Sequence, residues 1–122
     1  MRIGELSART GVSRRSLRYY EEQGLLVSAR SPSGQRWYDD DHVQRVALVQ
    51  GFLAAGMSSR TIAQMVPCMT DPTMDRAREA LTVMNQERNR LSSAMDSLAA
   101  ARAALDRLID VNRNFLENAA DD

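Results

Sequence analysis

The chain has 122 residues, enough for one compact domain and one long element but too few for two full hydrophobic cores. Its net charge is zero, yet residues 1–38 carry seven Arg against three Glu, whereas residues 71–122 carry seven Arg against ten acidic residues. A basic head joined to an acidic tail predicts an anionic partner at the N-terminal end only.

Composition also predicts where the protein works. No apolar run approaches the ~20 residues that span a bilayer, and Glu5, Arg9 and Gly11 interrupt any signal-peptide core. The single cysteine, Cys68, excludes an intramolecular disulfide framework and favours a reducing compartment. We therefore expect a cytoplasmic protein without a membrane partner.

The first two predicted helices form a helix-turn-helix. Gly11 ends the first helix, and the link over residues 10–13 is short and contains this glycine, as the motif requires. Ser13 is a good N-cap for the second helix, and Gly24 lies where a left-handed residue would end it. The expected core residues of this part are Ile3, Leu6, Val12 and Leu17.

The second helix has an outer face rich in arginine. Arg14, Arg15 and Arg18 fall within a turn and a half, and guanidinium groups suit guanine edges and phosphates in a major groove. A merely solvated face is the alternative. Tyr19 and Tyr20 cannot share one face, so we expect Tyr20 to be buried and Tyr19 exposed.

A β-hairpin is predicted next. The apolar run over residues 25–27 predicts a strand, residues 31–34 a turn, and residues 35–38 a return strand. The hairpin is both basic and aromatic, which is typical of a wing that lies on a sugar-phosphate backbone. The residues that give it this character are Arg30, Arg36, Trp37 and Tyr38.

Two more helices follow. Three carboxylates at residues 39–41 could bind a divalent cation, but we expect them to cap a helix that runs to about Ala55. Ser58 or Ser59 caps the next helix, and Pro67 is expected to close it. The inward residues of the two helices are predicted as Val43, Val46, Ala47, Val49, Leu53, Ile62, Ala63, Met65 and Val66.

A long helix is predicted from Asp71, as N-cap, to about Ile109, because neither Gly nor Pro occurs after Pro72. It carries a heptad stripe that a lone helix cannot bury, so a partner helix is expected. Arg88 and Arg102 interrupt one edge of the stripe and favour an antiparallel pair. The expected dimerisation residues are Leu81, Met84, Leu91, Met95, Leu98 and Leu105.

Order and spacing of five short segments, covering roughly residues 2–70, resemble the MerR family of bacterial transcription regulators. The segments are Ile-Gly-Glu-Leu at 3–6, Gly-Val-Ser at 11–13, Leu-Arg-Tyr-Tyr-Glu at 17–21, Gly-Leu-Leu at 24–26 and Gly-Gln-Arg-Trp-Tyr at 34–38. The resemblance implies a mainly α fold: a winged helix-turn-helix domain with a small β-hairpin wing, followed by a long antiparallel coiled-coil dimerisation helix. The expected parts are a DNA-binding domain at 1–70, a dimerisation helix at 71–110 and a short C-terminal tail at 111–122.

The resemblance also implies roles for single residues. Arg14 and Arg15 occupy positions that vary with operator sequence, so we expect them to read bases. Gln35 departs from the family pattern, which usually has an aromatic residue there. The further DNA contacts that the resemblance implies are Arg18 and Tyr19 from the second helix, Arg36 and Tyr38 from the hairpin, and Arg60 from a second wing.

The implied function is that of a homodimeric regulator that binds a pseudo-palindromic promoter with an over-long spacer. Bending and untwisting this double-stranded DNA would let RNA polymerase, an indirect partner, engage both promoter elements. Activation and repression both stay open, as does an unidentified small-molecule effector. The alternatives are an architectural or phage-type accessory DNA-binding protein, and a coiled-coil adaptor that has lost DNA binding.

Chemistry other than binding has little support. His42 and Cys68 form neither a convincing ligand set nor a catalytic dyad, so we expect no enzyme, metal or cofactor. Cys68 is either a sensing thiol or, as we expect, a partly buried structural residue. Four methionines either line an adaptable apolar pocket or pack in the core, the interpretation we favour; they are Met65, Met69, Met74 and Met84.

Overall fold

The computed structural model describes residues 1–121, which form five helices and one two-stranded antiparallel sheet. The elements are α1 (Ile3–Thr10), α2 (Arg14–Glu22), β1 (Ala29–Arg30), β2 (Arg36–Trp37), α3 (Asp40–Ala54), α4 (Ser59–Thr70) and α5 (Met74–Asp121). This mainly helical fold, with one small hairpin and a long C-terminal helix, confirms the predicted fold class. The chain divides into two units, Met1–Ala80 and Leu81–Asp122.

The first unit has its core where three helices meet. Helix α1 packs on both α2 and α3, and α3 packs on α4. Each helix contributes an apolar face, as the sequence pattern predicted, although Ile3 is only half-buried and Ala47 is exposed. The fully buried apolar side chains of these helices and of the segment after α2 are Leu6, Leu17, Leu25, Leu26, Val46, Val49 and Ile62.

Local capping bonds set the ends of the helices. The Ser13 hydroxyl accepts a hydrogen bond from the backbone N–H of Ser16 at 3.1 Å, and Gly24 adopts φ +74° after α2, as predicted. Ser58, rather than Ser59, caps α4, because its hydroxyl accepts the backbone N–H of Thr61 at 3.1 Å.

The start of α3 confirms the capping role of the three aspartates. The Asp39 carboxylate accepts the backbone N–H of His42 at 3.3 Å, and Asp40 and Asp41 lie in the first turn. The hydrogen bond with the His42 side chain holds the pKa of the Asp39 carboxyl below its usual value. Because that pKa is lowered, the charged cap stabilises the fold at higher pH, and this stabilisation is lost as the pH falls through the folded-state pKa.

His42 connects α3 to the segment that follows α2. Its ring is buried, Nε2 lies 2.8 Å from the carbonyl oxygen of Val27, and Nδ1 lies 3.0 Å from the backbone nitrogen of Asp39. The ring also meets Tyr38 edge-on, with centroids 5.4 Å apart. A residue that the sequence showed only as an isolated histidine therefore holds two chain segments together.

The predicted strand over residues 25–27 is wrong. Leu25 and Leu26 are both buried, whereas successive side chains of a half-buried strand point to opposite faces. The backbone N–H of Leu25 donates to the carbonyl of Tyr20 at 2.8 Å, so this segment closes the end of α2. The first strand forms later, at Ala29–Arg30.

Pro67 does not close α4, which continues to Thr70. Proline removes one backbone donor from a helix but leaves its own carbonyl free to accept. The backbone N–H of Asp71 donates to the Pro67 carbonyl at 3.0 Å, and the Thr70 hydroxyl donates to the Val66 carbonyl at 3.2 Å. These bonds carry the helix past the proline.

Both predicted ends of the long helix also differ from the structure. Asp71 ends α4 and pairs with Arg76 at 2.5 Å, whereas the Thr73 hydroxyl accepts the backbone N–H of Arg76 at 3.1 Å and so supplies the N-cap bond of α5. Helix α5 continues past Ile109 to Asp121, through the segment expected as a tail. Its 48 residues correspond to about 72 Å at 1.5 Å per residue.

None of the helices within residues 1–121 has both the length and the apolar character needed to cross a bilayer.

Replacing His42 by Phe should lower the free energy of unfolding by about 1–3 kcal/mol. The ring packing against Tyr38 is kept, but the carbonyl of Val27 and the backbone N–H of Asp39 lose their buried partner. Urea denaturation followed by circular dichroism, at one fixed protein concentration, measures the change. Gln44→Ala, at an exposed position of the same helix, is the control and should stay within about 0.5 kcal/mol of the native chain. Equal stability of His42→Phe and the native chain would contradict the connecting role of the ring.

Candidate nucleic-acid interface

Helix α2 is anchored by its inner face and presents its arginines outward. Leu17 and Tyr20 are buried, whereas Tyr19 is 47% exposed, which confirms the predicted opposition of the two tyrosines. The three guanidinium-bearing side chains of α2 are all exposed; they are Arg14, Arg15 and Arg18. The inner anchors therefore fix the direction in which a dense set of cations points.

These cations have no competing partner in the protein. Over residues 1–121, none of the α2 arginines forms a hydrogen bond or an ion pair with another residue, so their N–H donors are available to a ligand. Arg14 lies across Gly4 of α1, where an added Cβ would come within 2.6 Å of a terminal guanidinium nitrogen. The missing side chain at Gly4 leaves room for Arg14, a role that the sequence motif did not show.

The hairpin brings two further guanidinium groups side by side. Arg30 and Arg36 are direct cross-strand partners, and Trp37, which pairs with Ala29, is 47% exposed. Like charges directly opposite each other destabilise a strand pair unless a counter-charge is near. Arg30 donates to the carbonyl of Gly34 at 3.2 Å, which holds its side chain along the turn.

A carboxylate connects this hairpin to α2. The Tyr38 hydroxyl donates to one oxygen of Glu21, and a guanidinium nitrogen of Arg36 lies 3.4 Å from the other oxygen. The Glu21 side chain is only 13% exposed, whereas that of Arg36 is 52% exposed. Glu21 therefore joins the buried base of the hairpin to one of its exposed cations.

The structure does not place Tyr38 on the exposed surface, contrary to the contact that was expected for it. Its side chain is fully buried and its hydroxyl is bonded to Glu21, so it supports the wing from inside. Trp37 and Tyr38 are adjacent aromatics in or beside a two-residue strand, and such neighbours point to opposite faces. Which of the two points inward depends on the contacts with α2, which the sequence does not show.

An open groove of about 320 Å³ lies between the start of α1, α2 and the hairpin. It brings Arg18 together with Arg36, and it adds Arg2, whose guanidinium donates to the side-chain oxygen of Gln35. The lining residues are Arg2, Ile3, Arg18, Gln35 and Arg36. Sequence reasoning missed Arg2, for which the basic charge of the N-terminal segment was the only signal.

The other predicted site residues lie elsewhere. Arg60 is exposed in the first turn of α4, and no contact within residues 1–121 joins it to the groove. The six predicted dimerisation residues lie on α5 and are between 39% and 70% exposed. Further exposed apolar side chains continue along the helix, at Leu108, Ile109, Val111, Phe115 and Leu116.

The described residues offer little for a metal or redox centre. No group of three or more His, Cys, Asp or Glu within residues 1–121 could hold a metal ion. Cys68 is a free thiol of intermediate exposure on α4.

Comparison with known proteins agrees with this geometry. A model of the MerR HTH family regulatory proteins matches residues 1–67. A SoxR homolog of Chromobacterium violaceum, described as a transcriptional activator, is 34% identical over 113 residues, which cover 88% of this chain and 72% of that protein. The nodulation protein NolA of a Bradyrhizobium strain is 36% identical over 98 residues, covering 80% of this chain but only 41% of NolA.

Two solved structures have the same fold. The transcription regulator PbrR691 of Ralstonia metallidurans, solved with lead(II), is 30% identical with a TM-score of 0.71 and aligns over 93% of this chain and 85% of its own. HiNmlR, described as a MerR family regulator that lacks the sensor domain and is bound to promoter DNA, is 23% identical with a TM-score of 0.62. That alignment covers 88% of this chain and 85% of HiNmlR.

Ionisation of Tyr38 provides a test of the contact between the hairpin and α2. Burial, followed by the hydrogen bond and charge of Glu21, raises the pKa of Tyr38 from 10.0 to about 12. Because the folded-state pKa is the higher one, stability should be complete below pH 10.0 and fall as the pH rises toward about 12. Alkaline titration of tyrosinate absorbance should show a late phase that Tyr38→Phe removes.

Glu21→Gln separates the two causes, because the amide still accepts a hydrogen bond but carries no charge. In that variant the pKa of Tyr38 should fall while staying above its ordinary value. A late phase that persists unchanged in Tyr38→Phe would show that the assignment to this residue is wrong.

Proposed function

Because the chain belongs to the MerR family of transcription regulators, we propose that it binds promoter DNA as a homodimer and regulates transcription by changing the shape of that DNA. The observation that carries this proposal is the outward face of α2. Three guanidinium groups without an internal partner lie there beside a basic hairpin. The MerR-family regulator HiNmlR, which shares the fold, was solved on promoter DNA.

The division of labour follows from what each cation touches. A helix fits the major groove of DNA, where arginine can donate two hydrogen bonds to a guanine edge. We assign base reading to Arg14 and Arg15, which lie in the first turn of α2 and have no other ligand among the described residues. The residues assigned to contacts with the backbone are Arg18, Tyr19 and Arg36, together with Arg60 as a separate contact from α4.

The charge distribution supports binding through the N-terminal part alone. The excess of arginine over acidic residues is confined to residues 1–38, whereas residues 71–122 are net acidic. An acidic helix is repelled by phosphate, so it favours contact between DNA and the first unit only. We accordingly assign residues 1–70 to DNA binding and 71–110 to dimerisation, with residues 111–121 as an extension of the same helix.

A second copy of the chain is the proposed partner of α5. A 48-residue helix with an exposed apolar stripe cannot bury that stripe on itself. Arg88 and Arg102 interrupt the stripe, which disfavours a strict parallel zipper and favours an antiparallel pair. A two-fold dimer presents two copies of α2, and two such readers match the half-sites of a pseudo-palindrome.

The proposed mechanism is indirect. A dimer held at a fixed spacing binds both half-sites fully only if the intervening DNA bends and untwists, and the cost of that deformation depends on DNA sequence. The altered duplex, rather than a contact with the regulator, then decides how RNA polymerase engages the promoter. Such a protein acts where bacterial DNA is, in the cytoplasm, and needs no catalytic residues or resident cofactor.

The base-reading assignment predicts a contrast between two arginines. Arg15→Ala should cost on the order of 1–3 kcal/mol at one operator position, because a bidentate contact with a base is lost, and it should relax specificity there. Arg36→Ala should weaken binding to every sequence and flatten the salt dependence by about one contact. Competition binding against operators changed one position at a time measures both.

A specificity profile that Arg15→Ala leaves unchanged would overturn the assignment of the reading face. If the native protein instead binds operator and random DNA equally well, the architectural function is favoured over promoter regulation.

Dimerisation through α5 predicts that Leu98→Arg yields a monomer. The substitution places a charge at a 70% exposed position of the apolar stripe, where a partner helix would have to desolvate it. Analytical ultracentrifugation measures the mass. The neighbouring change Ser97→Arg adds the same charge outside the stripe and should leave the dimer intact. A native chain that sediments as a monomer would contradict the proposal.

A further inference from the structure

We propose that the groove between α1, α2 and the hairpin is a phosphate-binding subsite that holds one phosphodiester group of the DNA backbone. Arg2 is a direct ligand there together with Arg18 and Arg36, and Gln35 is the residue that positions Arg2. This inference rests on the proposed function and adds to it a contact from the N-terminal segment, ahead of the helix-turn-helix.

The charges that line two neighbouring grooves indicate where an anion binds. Both grooves contain Arg18 and Arg36, but the smaller one, of about 230 Å³, is completed by Glu21 and Glu22. The larger one, of about 320 Å³, is completed by Arg2 and has no carboxylate among its lining residues. A phosphate is therefore attracted to the larger groove, where three guanidinium groups face it, and is repelled from the smaller one.

The backbone around Arg2 is held firmly. The carbonyl of Arg2 accepts the N–H groups of Glu5 and Leu6, both at 3.1 Å, at the start of α1. Its neighbour Met1 accepts the backbone N–H of Tyr38 at 2.7 Å, which ties the segment to the hairpin. Arg2 therefore starts from a fixed point beside the wing, and only its side chain has to be ordered.

Gln35 supplies that order. Its backbone is fixed in the hairpin turn, because its carbonyl accepts the N–H of Ser31 at 2.8 Å and its own N–H donates to the Ser31 hydroxyl at 3.2 Å. Its side-chain oxygen accepts one N–H of the Arg2 guanidinium. Arginine has five N–H donors in a planar fork, so four remain for a phosphate. A neutral acceptor such as Gln35 orients Arg2 without cancelling its charge.

The two other cations keep their charge available in different ways. Arg18 forms no hydrogen bond or ion pair within residues 1–121. Arg36 is 3.4 Å from Glu21, a contact too long to be a strong ion pair, and about half of its side chain is exposed. Three guanidinium groups from three chain segments thus converge, and a bound phosphate offsets a mutual repulsion that the protein alone leaves uncompensated.

The main test is the salt dependence of operator binding by the full chain. Arg2→Gln should make the slope of log affinity against log salt concentration shallower by about 0.9, the value for one phosphate contact. Arg2→Lys should keep the native slope. The control Arg9→Gln loses the same charge at a side chain already paired with Asp40 at 2.5 Å, so it should also keep the native slope.

Gln35 is tested by its coupling to Arg2. Gln35→Ala should weaken binding to all DNA sequences without lowering the free energy of unfolding, and it should have no further effect in the Arg2→Gln background. Independent effects of the two changes would show that Gln35 does not act through Arg2.

Phosphate ethylation of the operator identifies the group that is bound. One ethylated phosphate in each half-site should block the native protein and no longer discriminate in Arg2→Gln. Inorganic phosphate, compared with chloride at equal ionic strength and without DNA, should show no saturable binding that Arg2→Gln abolishes. If it does, and the operator slope of Arg2→Gln is native, the groove binds free phosphate and the inference is wrong.

Failure of this inference can be told apart from failure of the proposed function. If the native chain binds its operator and Arg15→Ala relaxes specificity while Arg2→Gln keeps the native slope, only the phosphate subsite is refuted. If the native chain binds no DNA even at low salt, the proposed function fails and the subsite fails with it.

Discussion

The contact on which the DNA-facing surface depends is the Glu21 carboxylate shared by Tyr38 and Arg36. Tyr38 is buried and reaches Glu21 from inside the hairpin, whereas Arg36 approaches it from the exposed side. A two-residue ladder is too short to be stable by itself, so the hairpin needs such an attachment. Through Glu21 the wing is fixed to the helix whose arginines face outward, and its cations take defined positions relative to that helix.

Arginine serves different purposes in different parts of this chain. Arg9 and Arg76 are paired with aspartates and connect neighbouring helices, whereas the arginines of α2 have no such partner within residues 1–121. A guanidinium that already has a carboxylate gains less from a phosphate than a free one does. The net charge of zero therefore describes the surface poorly, since what matters is which cations the protein leaves without a counter-charge.

Local physics explains most of the predictions that were confirmed. Ser13 as N-cap, Gly24 in the left-handed region and Asp39 before α3 all depend on residues within four positions of each other. Predictions that depended on continuation were less successful. Pro67 was expected to stop α4, and Ile109 to lie near the end of α5, but a helix continues wherever later residues supply its hydrogen bonds. The run at 25–27 has the composition of a strand, yet the core buries both leucines.

The sequence by itself determined the helix-turn-helix, the basic outer face of α2, the apolar stripe of α5 and the family resemblance, because each is encoded in short-range spacing. Only the tertiary structure decided that Tyr38 points inward, that His42 reaches Val27, and that Arg2 lies beside Gln35. The physical reason is sequence separation. Arg2 and Gln35 are 33 positions apart, and no periodicity or capping rule acts over that distance; their contact exists because packing of the helices brings the N-terminus against the hairpin.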